Sequence, residues 1–209
     1  MGQQNVHLYV FDTLSDWEFG YAAAGINNPA FQARPGQYRI QTVAVRREPV
    51  TTMGGVRVLP DLVLSTLEPA MSAMLILPGG VSWDQGLNTE AVEKARAFLA
   101  AGVPVAAICG ATAGLARGGL LDERRHTSNA AGYLQGTGYR GVSLYVESPA
   151  VTDGELITAS GVAPLEFAYE IFKRLALYPA AVLEAWYGLF KTGDPAHYEA
   201  LLRSVAPDA

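Results

Sequence analysis

Short apolar runs alternate along the chain with longer stretches whose apolar residues recur at helical spacing. That alternation predicts βαβ units, a parallel sheet with helices on both faces. Val6-His7-Leu8-Tyr9-Val10-Phe11 reads as the first strand, and Ser15 or Asp16 then caps a helix through Trp17, Phe19, Tyr21 and Ala24. Residues 38–45 alternate and predict a strand. Residues 56–59 predict a short extended piece after a turn at Met53-Gly54-Gly55. Met74-Leu75-Ile76-Leu77 is continuously apolar and ends at Pro78-Gly79-Gly80, as a buried parallel strand ends at a tight loop.

Thr89 predicts the cap of a helix over 90–101, with Ala91, Val92, Ala95, Phe98 and Leu99 on one stripe and Gly102 closing it. Val105-Ala106-Ala107-Ile108 is a second buried strand, followed at once by Cys109-Gly110-Ala111 and helical residues 112–116. Further strands are expected at 125–128, 142–147 and 156–159. Pro164 sits in the first turn of a helix over 165–177. Two more helical segments, 180–190 and 195–205, finish the chain. The expected organisation is one α/β domain over 1–178 with a helical appendage over 179–209.

Composition narrows the class. Half of the 209 residues are hydrophobic and 17% are charged, which excludes a disordered chain. A single cysteine excludes an internal disulfide and a thiolate zinc cluster. The formal charge of -5, without a basic run, leaves no footprint for nucleic acid. The start of the chain lacks a charged, apolar secretory leader and a myristoylation pattern, and the most apolar region, 103–116, is broken by Pro104, Gly110 and Gly114. No membrane association and a cytoplasmic location are therefore expected. Three scattered histidines lack a metal-ligand spacing and no phosphate-cradling glycine loop follows a strand, so no metal and no cofactor are expected.

The most informative junction is strand, cysteine, helix at 105–116. A nucleophile there sits on a sharp turn with small neighbours, and Ala107, Gly110 and Ala111 supply them. The helix N-terminus favours thiolate over thiol. The competing reading is a buried structural cysteine. Gly79 and Gly80 let backbone amides approach a substrate as an oxyanion hole, although Pro-Gly-Gly is also a common turn. Glu18, flanked by Trp17 and Phe19, is either an acid/base near the thiol or a solvated helix charge.

Four features in this order resemble the ThiJ/PfpI superfamily: Asp16-Trp17-Glu18, Leu75-Ile76-Leu77-Pro78-Gly79-Gly80, Ala107-Ile108-Cys109-Gly110-Ala111, and residues 151–161 with Val151-Thr152-Asp153-Gly154-Glu155 at their start. The resemblance spans residues 6–177. It implies the class I glutamine amidotransferase-like fold, a three-layer, open, mostly parallel sheet of flavodoxin-like type. By the same resemblance Cys109 is the elbow nucleophile, Glu18 its acidic partner, and Gly80 and Gly110 the oxyanion positions. Peptidase-like members carry histidine directly after the cysteine, where this chain has Gly110.

Other members supply a histidine from the strand after the elbow helix, where this chain reads Arg125-His126-Thr127-Ser128-Asn129. His126 and Ser128 share one strand face, Thr127 and Asn129 the other, so His126 and Asn129 are alternatives for the position beside Cys109. The expected activity is a cysteine-dependent hydrolase (amidase- or peptidase-like) or a glyoxalase- or deglycase-type lyase acting on a small carbonyl or amide. The alternative is a non-catalytic stress protein that senses oxidants through Cys109. A homodimer is the expected assembly. The apolar stripe Val182, Leu183, Trp186, Tyr187, Leu189 and Phe190 serves either packing on the domain or that interface.

Overall fold

A computed structural model of the chain describes residues 2–205. Met1, and residues 206–209 of the expected appendage, lie outside the described residues. In chain order the elements are β1 (Gln4–Tyr9), α1 (Asp16–Asn27), β2 (Tyr38–Ala44), β3 (Val50–Thr51), β4 (Arg57–Val58), β5 (Leu62–Val63), β6 (Met74–Leu77), α2 (Val81–Asp84), α3 (Thr89–Ala100) and β7 (Val105–Ile108). They continue with α4 (Gly110–Arg117), α5 (Ala131–Gln135), β8 (Ala150–Asp153), β9 (Leu156–Ala159), α6 (Pro164–Arg174), α7 (Ala180–Thr192) and α8 (Pro195–Val205).

The main sheet has seven strands in the order β5-β2-β1-β6-β7-β9-β8. All neighbours are parallel except the edge pair β8 and β9. Every residue of β6, β7 and β9 is buried, so these central strands need cover on both faces. The helices supply it in two groups, α1 packed against α6 and α3 against α4. The result is the three-layer, open, mostly parallel α/β architecture that the alternating pattern predicts. No helix of the described residues is long and apolar enough to cross a membrane.

Several expectations are corrected. The segment 125–128 is no strand; its only ladder contact is a single parallel bridge from His126 to Tyr145. The segment 142–147 alternates like a strand but forms a 3-10 turn over Val142–Leu144, with Val142 45% exposed. The edge strand lies downstream at β8, turned back onto β9 by Gly154 at φ 58. The helix expected over 165–177 ends at Arg174, and Ala176 takes φ 48 beyond it. Asn88, in a left-handed conformation, holds the cap position expected of Thr89.

β3 and β4 form an antiparallel hairpin apart from the main sheet. Its turn is fastened to the start of α1: Met53 N–H donates to Leu14 O at 2.9 Å and Gly54 N–H to an Asp16 carboxylate oxygen at 2.7 Å. At the other end of the chain, α7 lies against α6. Val182, Leu183 and Trp186 are buried there, Trp186 with its ring centroid 4.9 Å from that of Phe172, while Phe190 stays half exposed.

Candidate active site

β7 runs out at Ile108 and α4 begins at Gly110, so Cys109 alone makes the turn, at φ 57 and ψ -124. A non-glycine residue there stores on the order of 1–3 kcal/mol of strain, which persists only where the surroundings hold it. Here the Cys109 N–H donates to Ala159 O at 3.0 Å, continuing the β7–β9 ladder. Its carbonyl accepts from the Thr112 N–H at 3.1 Å and the Thr112 hydroxyl at 2.6 Å. Two backbones crowd the side chain. A Cβ at Gly79 would lie 2.6 Å from Cys109 Cβ, and one at Gly161 would lie 2.7 Å from Sγ. Glycine at both positions is thus a steric requirement of the elbow.

Glu18, in the first turn of α1, is 2% exposed and accepts the Gly79 N–H at 2.5 Å. It also hydrogen-bonds the side chains of Cys109 and Ser15. Ser15 stands at the N-cap of α1 but makes no capping bond with its side chain. Burial pushes the Glu18 carboxyl up to about 7, against the opposing pull of those hydrogen bonds. Burial and the adjacent Glu18 charge push the Cys109 thiol up to about 11, while Asn129 and the Gly110 amide pull it down. The helix N-terminus does pull this thiol down through the Gly110 amide, but that pull is outweighed by desolvation and a neighbouring carboxylate.

Between those two values the pair holds one proton, either as carboxylate and thiol or as carboxylic acid and thiolate. Asn129 Nδ2 donates to Sγ at 3.4 Å and favours the thiolate. The amide is oriented by its other end, since Oδ1 accepts the Gly161 N–H at 2.9 Å.

The structure does not bring His126 to the sulfur. Its Nδ1 donates to Arg124 O at 2.7 Å, so Nε2 accepts from the Tyr139 hydroxyl at 3.1 Å. Both ring nitrogens are committed, the side chain is buried, and burial lowers its pKa. Asn129 occupies the position that sequence alternation left open between the two. His7 is buried between Ser72 and Gln41, and His197 packs against Gly188 in the C-terminal helices. Gly79 also departs from its expected role, because its amide is taken by Glu18. Gly80 and Gly110 remain on the cavity wall.

The cavity over Cys109 measures about 390 Å³. Larger surface cavities of about 430 and 450 Å³ lie near the start of α3 and contain no cysteine. Sequence reasoning missed two polar residues of the cavity over Cys109, Asp84 on α2 and Tyr133 on α5, joined by a hydrogen bond from the Tyr133 hydroxyl to Asp84 Oδ1. These helices have four and five residues, too few for any periodicity to show.

The model of the DJ-1/PfpI family matches residues 4–174. The chain is 40% identical over 208 residues to the Uncharacterized protease YoaZ of Bacillus subtilis, covering 98% of this chain and 99% of that one. A deglycase of Pyrococcus abyssi is 30% identical over 132 residues, 63% of this chain and 78% of its own. Among solved structures, a thiJ/pfpI family protein from Bacillus anthracis is 42% identical with a TM-score of 0.89, covering 98% of this chain and 99% of that chain.

Proposed function

The chain belongs to the DJ-1/PfpI family, and from that membership and the site geometry we propose a cysteine-dependent enzyme acting on a small carbonyl compound. The observation that carries this reading is the half-buried Cys109 thiol, hydrogen-bonded to the buried Glu18 carboxyl at a left-handed elbow that opens into a cavity. Among the described residues no histidine lines that cavity, so in this reading the proton falls to Glu18. This disfavours the peptidase-type Cys-His dyad and favours amide or dicarbonyl chemistry.

In the thiolate form, Sγ bonds to the carbonyl carbon and the C=O π pair moves onto oxygen. The Gly80 and Gly110 amides are the oxyanion donors of this reading. With an aldehyde, the Glu18 proton passes to that oxygen and gives a hemithioacetal. With an amide, the proton passes instead to the departing nitrogen, leaving a thioester and a Glu18 carboxylate. Glu18 then takes a proton from water as its oxygen attacks the thioester carbon. The thiolate is expelled, the acid product leaves, and the one-proton pair is restored.

A second reading rests on the same donors. Asn129 Nδ2, the Gly110 amide and a protonated Glu18 surround the sulfur and would bind the oxygens of a sulfinate formed by hydrogen peroxide. Such a protein senses oxidants without turnover. The discriminating experiment follows methylglyoxal consumption and ammonia release from small amides. The enzyme reading expects turnover that vanishes in Cys109→Ser and falls about 100-fold or more in Glu18→Gln. No turnover of either class, with oxygen added to Cys109 by peroxide, replaces it with the sensor.

A further inference from the structure

Resting on the reading of Cys109 as nucleophile, we infer that the mouth of its cavity is a subsite for a cationic group, formed by Asp84, Tyr133 and Trp17. The preferred substrates are then small carbonyl compounds that carry a positive charge, such as an ammonium. Among the described residues, Asp84 and Glu18 are the carboxyls on the cavity wall, and no Lys, Arg or His lines it. Asp84 is exposed and, among the described residues, has no ion-pair partner. Arg117, the basic side chain next to α2, is turned to backbone instead, donating to Trp83 O at 2.6 Å and reaching Asp84 O at 3.5 Å. The Asp84 carboxylate on this wall is thus left without a direct ion pair, the Arg117 charge acting from nearby through the Tyr133 side of the cavity.

The Tyr133 hydroxyl donates to Asp84 Oδ1 and fixes that carboxylate on the wall, leaving lone pairs free for a ligand. Trp17 stands at the opening with 55% of its surface exposed, so its indole face is available to a cation. A basic group does line the adjoining cavity beyond Val162, but Lys191 is held there by Glu166 at 2.6 Å. That second cavity is also lined by Glu147, so among the described residues its carboxylates outnumber its amines.

The test exploits the single cysteine. Methanethiosulfonates bearing a 2-trimethylammonioethyl, 2-hydroxyethyl or 2-sulfonatoethyl group each transfer their alkylthio group to Sγ and release methanesulfinate. The products are counted by intact mass. The reading is the ratio of cationic to anionic rate constants, divided by the same ratio for free 2-mercaptoethanol. Wild type is expected to exceed free thiol by about tenfold at low salt, and Asp84→Asn to reduce that excess by about threefold or more. Trp17→Leu, which leaves Asp84 charged, is expected to lower the rate for the cationic reagent and not for the anionic one.

The Asp84 comparison separates this subsite from the attraction exerted by Glu18 and the thiolate, which remain in the variant. A wild-type ratio equal to that of free thiol, or a ratio untouched by Asp84→Asn, overturns the inference while leaving the nucleophile in place. A thiol inert to all three reagents overturns the proposed function and this subsite with it.

Discussion

Replacing Glu18 by glutamine isolates the energetic cost of the carboxyl. In the fold that group titrates at about 7, against an ordinary value of 4.5, because it is buried. At 1.36 kcal/mol per unit, ionising it in the folded protein costs about 3 kcal/mol relative to the unfolded chain. The folded state binds this proton more tightly, so the stability is present in full below about pH 4.5. It is lost as pH rises toward 7. Glutamine keeps an oxygen for the Gly79 N–H and has nothing to ionise, so the variant escapes that loss. Urea unfolding of both proteins at pH 5, 6, 7 and 8 gives the difference, in which the other titrating groups largely cancel. Between pH 5 and 8 the variant should gain about 2–3 kcal/mol on wild type, or about 5–10 °C in Tm. A stability difference that stays flat across this range would refute the claim that Glu18 is held protonated by burial.

Two other substitutions separate the elbow from its surroundings. Gly161→Ala places a Cβ 2.7 Å from Sγ; destabilisation of about 1–3 kcal/mol in urea and a clear drop in the iodoacetamide rate are expected. His126→Gln loses its paired contacts with Arg124 and Tyr139. It should destabilise by about 1–3 kcal/mol and leave the pH profile of Cys109 alkylation in place, whereas a shifted profile would return His126 to the site.

The central sheet was legible because its strands are the simplest pattern a sequence can carry. β6 and β7 are continuous apolar runs and β9 is one broken only by Thr158, all buried on both faces. Cys109 was legible for the same reason, as the one non-aliphatic residue between such a run and a helix. Glu18 needed the family resemblance, since its burial depends on Gly79, Ser15 and Cys109 arriving from other segments.

What escaped was set by tertiary context. Residues 142–147 alternate as a half-buried strand does, but no open sheet edge receives them; the shorter β8 takes that edge through its turn at Gly154. Side-chain alternation limited the position beside Cys109 to His126 or Asn129. The choice was made by partners far along the chain, Tyr139 for the histidine and Gly161 for the asparagine. The net direction of the thiol's shift was not legible either, because a helix terminus is visible in sequence and desolvation is not.

The most direct measurement is the pH dependence of Cys109 alkylation by iodoacetamide, in wild type and Glu18→Gln, read by intact mass. A shared proton predicts two steps in wild type: a rise through about pH 7 as the pair loses its first proton, a plateau, and a second rise toward about 11. The lower step should be absent from Glu18→Gln. A single step at the ordinary thiol value of about 8.5, the same in both proteins, would contradict the account.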